Sequence, residues 1–120
     1  MNILITNNPM VNQKHFKEVE KIFLENEELL NVLYLTRDKI HQGHKLLTHP
    51  LSGSIKPNQT PYKSIMITKD KGQLDFESLK LIEDSIVVAK GLKDSATSEK
   101  LFLEDFQLID LNLILSGYNK

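Results

Sequence analysis

Cysteine is absent from this chain of 120 residues. That excludes disulfides, thiolate zinc sites, iron–sulfur ligation and cysteine nucleophiles, and it fits a reducing compartment. No charge of one sign is in excess, with 15 Lys and Arg against 16 Asp and Glu and a net charge of −1. Lysines and carboxylates are interspersed, so the bulk basic face of a nucleic-acid binder is missing and no nucleic-acid partner is expected. No apolar run is long enough to span a bilayer, and the start MNILITNNPM lacks the basic region and long apolar stretch of a signal peptide. The expectation is a cytoplasmic protein of one domain with no membrane partner, long enough to bury a core without metal or disulfide support.

Arginine is nearly absent as well, and the one present, Arg37, lies in an unusual stretch. Thr36 to Ser64 (TRDKIHQGHKLLTHPLSGSIKPNQTPYKS) also holds His41, His44 and His49 of four histidines, and Pro50, Pro57 and Pro61 of four prolines. On either side the pattern is ordinary scaffold. Asn2 to Thr6 (NILIT) is a short β-branched run closed by Asn7-Asn8-Pro9, a buried strand ending in a turn. Asn7 and Asn8 then occupy the end of an N-terminal strand, where α/β folds often place binding loops.

Lys17 to Glu25 contains a second strand. Asn26 is expected to cap a helix of about Glu27 to Gln42, with acids in its first turn and Gly43 as its stop. His44 to His49 reads as a strand halted by Pro50, and Leu51 to Tyr62 as a long loop. Lys63 to Thr68 is a strand, followed by the turn Lys69 to Gly72. Asp75 to Leu92 carries Phe76, Leu79, Ile82, Ile86 and Val87 at helical spacing. After a polar linker, Lys93 to Thr97, the stretch Ser98 to Ser116 is apolar over more than one face, which suits burial between layers or a homodimer contact. The expected architecture is α/β: one small domain with a sheet of about four strands flanked by three helices.

The central stretch offers several chemistries. Arg37 supplies planar, bidentate recognition in a chain that otherwise uses lysine. Its partner is either a ligand anion or an internal acid, and the internal clamp is the favoured reading. His41, His44 and His49 are poorly spaced for a local metal site, although Asp38 could orient His41, so no metal ligand is assigned. The loop brings Ser52, Ser54, Lys56, Thr60 and Tyr62, a hydroxyl- and lysine-rich set suited to a small anion. It lacks the glycines of a P-loop or dinucleotide fingerprint, and the residues name no cofactor. Ser52 or Ser54 with His49 as base lacks a nucleophile-elbow signature. The candidate ligand-binding residues are therefore Asn7, Asn8, Arg37, His44, His49, Ser52, Ser54, Lys56, Thr60 and Tyr62, with catalytic residues unassigned.

The block RDKIHQGHKLLTHPLSGSIKPNQTPYKS, together with the N-terminal ITNNPMV, resembles the GrdX family, small proteins encoded beside the glycine reductase system of amino-acid-fermenting anaerobes. The resemblance is weaker after Ser64. It implies a cytoplasmic accessory or regulatory role near that system and carries over no catalytic residue; the anion-friendly loop adds the expectation that the protein binds glycine reductase components or a small anionic metabolite through residues 36–64. The alternative is a small enzyme using His44 or His49 for acid–base chemistry, with Arg37 and Lys56 holding an anionic substrate.

Overall fold

A computed structural model describes residues 1–51, 61–92 and 103–118. In chain order the elements are β1 (Asn2–Thr6), α1 (Pro9–Gln13), β2 (Val19–Phe23), α2 (Leu29–His41), β3 (Ser64–Thr68), α3 (Phe76–Leu92) and α4 (Leu103–Tyr118). The fold is α/β as expected, but the described residues form a sheet of three strands with four helices, not about four strands with three.

β1 is central, in the order β2-β1-β3, parallel to β2 and antiparallel to β3. The register places Ile3 opposite Ile67, Leu4 opposite Met66 and Ile5 opposite Ile65. Alternation along each strand then divides the core in two. Ile3, Ile5, Ile65 and Ile67 pack with Leu33, Ile40, Ile82 and Ile86 from α2 and α3 on one face. On the other face Leu4 and Met66 meet Val11 of α1, Phe16 and Ile114 of α4. Five of these isoleucines and Leu4 are wholly shielded from solvent, and each such side chain contributes about 1.5–3 kcal/mol of burial.

The differences from expectation have local causes. α1 spans too few residues to show a helical period, yet Asn8 caps it by accepting from the Met10 amide and Pro9 stands at its start. Asn26 does not cap α2; it takes φ +60° in the turn after β2, and Glu28 occupies the cap without a side-chain bond. The strand expected at His44 to His49 reduces to one bridge, Leu46 to Ile67. Side chains interrupt the ladder there: the Met66 amide donates to the Thr48 hydroxyl (3.0 Å) and the Leu46 amide to the Ser78 hydroxyl (3.0 Å).

The inner stripe of α3 is Ser78, Ile82, Ser85, Ile86 and Ala89, so Phe76 and Val87 point outward, at 74% and 69% exposure. α4 buries Asp110 and Ile114 and leaves Leu108 and Ile109 open to solvent. Among the described residues no helix is long and apolar enough to cross a membrane. The expected linker Lys93 to Thr97 lies outside the described residues.

Gly43 stops α2 as anticipated. Its amide donates to Ile40 O (3.0 Å) and the His44 amide to Lys39 O (3.2 Å), which is a Schellman closure. Its φ is +110°, and a Cβ there would run into the backbone of Gly72, whose amide donates to Gly43 O at 2.9 Å. Gly43→Ala is expected to destabilise the fold by about 2–4 kcal/mol, the sum of backbone strain and displaced backbone. Gly72→Ala, with open space around it, serves as the near-neutral control. Urea unfolding of both variants measures the difference, and equal midpoints would contradict this account of the α2 terminus.

Candidate functional site

The carboxyl end of β1 carries a buried polar cluster. Thr6, the last residue of β1, faces Ser64, the first of β3. Its hydroxyl accepts from the Asn8 amide (3.0 Å) and lies 2.7 Å from the Ser64 hydroxyl. Ser64 in turn donates its hydroxyl to Asp110 Oδ2 (2.7 Å) and its amide to Asp110 Oδ1 (3.0 Å). Asn8 completes the set, donating from Nδ2 to Asp110 Oδ2 (3.0 Å) and to the Gln107 carbonyl (2.9 Å). Its Oδ1 is the α1 cap. Proton directions along Asn8, Thr6, Ser64 and Asp110 are therefore consistent, each hydroxyl accepting once and donating once.

Asp110 is 3% exposed. A carboxylate in such a place is tolerated because three donors converge on it, which is the usual condition for burying charge. Asn7 ties the same end of the sheet to two other segments. Its Nδ2 donates to Glu27 O (2.9 Å) and Pro61 O (2.8 Å), and its Oδ1 accepts from the Lys63 amide (2.9 Å). Gln107 of α4 donates to the Tyr62 hydroxyl at 2.9 Å. Residues 61–64 are thus fastened to β1 and α4 at every step.

Lys63 is also buried, at 6% exposure. Burial pushes its ammonium below the usual lysine value, and the Asp110 charge partly offsets this.

Among the residues anticipated from the sequence, Asn7, Asn8 and Tyr62 come together in this cluster. The others do not join it. Arg37 projects from α2, where Nη1 donates to Glu83 Oε1 of α3 (3.2 Å) and the guanidinium lies 5.2 Å from the Tyr34 ring centre. That is an internal clamp between two helices, half-exposed and hence a small contributor to stability.

His44 is buried against β3, its Nδ1 2.6 Å from the Thr68 carbonyl oxygen, so this nitrogen carries a proton. His49 is exposed, and its Nδ1 accepts from the Leu51 amide (3.1 Å), leaving the neutral ring's proton on Nε2. It lines an open cleft of about 940 Å³ that also borders Asn2, Val19, Met66 and Tyr118. Asn2 begins β1, so this cleft reaches the end of the sheet remote from Asp110. Ser52, Ser54, Lys56 and Thr60 lie outside the described residues. Among the described residues no three His, Asp or Glu side chains are grouped so as to hold a metal ion.

Lys63 and Ser64 fall within the central stretch without having been singled out, and Thr6, Gln107 and Asp110 were not anticipated. One signal for Asp110 was present: it sits four residues before Ile114, an acid in register with the apolar stripe of α4. A charged side chain on the buried stripe of a helix needs partners, and here they are Ser64 and Asn8.

The fold and cluster define a small α/β protein with helices on both faces of its sheet and a polar clamp at the carboxyl end of the central strand. The family model described as GrdX-like protein matches residues 3–119, nearly the whole chain, and the chain belongs to that family. No curated protein and no solved structure matches it.

Lys63 gives the cluster a pH signature. Its pKa is lowered on folding, so the protonated amine costs the folded state below that value, and the cost is relieved as pH rises toward the ordinary 10.5. The stability of the native protein relative to Lys63→Met should therefore rise across the alkaline window ending near 10.5 and stay level below it. Urea unfolding at stepped pH reads this difference, and a constant offset through that window would contradict it.

Proposed function

We propose that this protein is a non-catalytic accessory component of a glycine reductase-type amino-acid fermentation system, working in the cytoplasm. It binds a partner or a small anionic metabolite through residues 36–64. Family membership supports the context. The observation that carries the binding reading is that, within residues 36–64, both flanks of the stretch 49–60 are anchored to the sheet. Before it, Leu46 bridges to Ile67 and Thr48 accepts from the Met66 amide. After it, Pro61, Lys63 and Ser64 are held by Asn7 and Asp110. A segment with fixed ends, rich in hydroxyls and lysine, presents its groups at reduced entropic cost to an anion or an acidic surface.

The enzymatic alternative draws less support. His44 is buried with Nδ1 committed to a backbone carbonyl, and Arg37 is engaged with Glu83. His44 thus has little access to solvent, and Arg37 is drawn toward α3. His49 stands apart from both the Arg37–Glu83 pair and the Asp110 cluster.

Calorimetric titration with phosphate, acetyl phosphate, glycine and purified reductase components tests the proposal. Saturable binding to at least one is expected, weakened about tenfold or more by Asn7→Ala, which unties Pro61 and Lys63 and so raises the ordering cost of binding. No binding across that panel, together with turnover of a small metabolite that His49→Gln abolishes, would replace it with the enzymatic reading.

A further inference from the structure

β2 forms one outer edge of the three-stranded sheet. β2 pairs with β1 alone. In a parallel ladder successive residues of an edge strand turn their N–H and C=O alternately toward the neighbour and away from it. The Asn2 amide donates to Glu18 O (3.2 Å) and the Leu24 amide to Thr6 O (2.8 Å). Those bonds put the even-numbered residues on the β1 side. Val19, Lys21 and Phe23 therefore direct their backbone groups outward, and among the described residues no strand receives them.

Sheet edges are normally guarded by charge. Here both charges on the strand are already engaged within the chain. Lys21 is drawn back onto α1, its Nζ donating to Asn12 O (2.6 Å) and Lys14 O (2.7 Å). The Glu20 carboxylate accepts from Lys69 at 2.9 Å, and that pairing lowers its pKa. Val19, Ile22 and Phe23 are only half-buried. Among the described residues the edge is thus unpaired, and the two charges on the strand itself are engaged within the chain.

We infer that β2 is a self-association edge, pairing antiparallel with β2 of a second copy of this chain about a two-fold axis through Lys21. The register follows from parity. Only pairings that match outward residues with outward residues can form bonds, and centring on Lys21 engages every one of them. Val19 then faces Phe23 of the second copy, Lys21 faces Lys21, and Phe23 faces Val19, each pair exchanging both backbone hydrogen bonds.

The two Val19–Phe23 contacts are apolar cross-strand pairs, a stabilising combination. The like charges at the axis are separated because each ammonium is held on its own α1. This self-complementarity favours a second copy over an unrelated peptide, and a two-fold pairing closes on itself without propagating into a filament. So short an edge buries less than the roughly 1,000 Å² of a stable interface, so the association is weak and grows with concentration. It is independent of the binding reading, which concerns residues 36–64.

Amide hydrogen exchange resolved by NMR, at micromolar and millimolar protein, tests this beside sedimentation analysis. The average mass should move toward a dimer as concentration rises. The Val19, Lys21 and Phe23 amides should gain tenfold or more in protection, while Glu20 and Ile22, already bonded to β1, stay unchanged. Lys21→Pro removes an outward N–H without touching the β1 ladder and should give a monomer; Val19→Lys, which keeps the backbone intact, provides the same test if the first variant fails to fold. A monomer at millimolar concentration would overturn the inference. So would a dimer whose added protection falls on Leu108 and Ile109 of α4, or one that persists in both variants.

Discussion

The Asp110 carboxylate is the interaction on which the carboxyl end of the sheet depends. It is the one buried acid among the described residues and is contributed by the last helix. Its acceptors fix the first residue of β3 through Ser64 and the loop after β1 through Asn8. Two segments remote in sequence thus converge on two oxygen atoms of a third. Withdrawing the carboxylate would leave the Ser64 amide and hydroxyl and the Asn8 side-chain amide underbonded in a buried setting, and would strip Lys63 of its compensating charge. Breaking a buried charge network of this kind generally costs about 3–5 kcal/mol, a large share of a small domain's stability.

The arrangement also leaves the cluster itself little capacity to bind a ligand. Asn7 has both amide protons and its carbonyl engaged, and Asp110 receives three donors. A group whose hydrogen-bonding capacity is spent internally holds geometry; it has little left for a substrate. What that geometry holds is the exit of the central segment at residues 61–64. The entrance, at Leu46 and Thr48, is held on the far side of β3. In the function proposed above, the scaffold and the binding segment are separate parts, in the way that binding loops are commonly mounted on rigid sheets.

Much of the scaffold was legible in the sequence because it obeys simple periods. The strands at Asn2–Thr6 and Ser64–Thr68 are β-branched runs bounded by turn residues, and Gly43 ends α2 where a left-handed residue is required. The errors arise where side chains replace backbone or where size matters more than polarity. The bridge at Leu46 fails to become a strand because Thr48 and Ser78 intercept the ladder bonds. The inner stripe of α3 was placed in part: Leu79, Ile82 and Ile86 pack on the core, whereas Phe76 and Val87 are exposed and Ser78 and Ser85, small and internally bonded, do not register as core residues. Asn7 and Asn8 were recognisable from their position after β1, whereas Ser64 and Asp110 become partners only through tertiary contact. The gathering of rare residue types between Thr36 and Ser64 did not translate into one shared pocket: Arg37, His44 and His49 serve three different surroundings.

The most direct test of the central claim is a double-mutant cycle on Ser64 and Asp110, measured by urea unfolding at neutral pH. Ser64→Ala, Asp110→Asn and the double variant should show a coupling of about 1–3 kcal/mol, as expected for residues in one buried network. Free energies that add to within about 0.5 kcal/mol, the behaviour of independent sites, would contradict the account of Asp110 as the group that joins α4 to the end of the sheet.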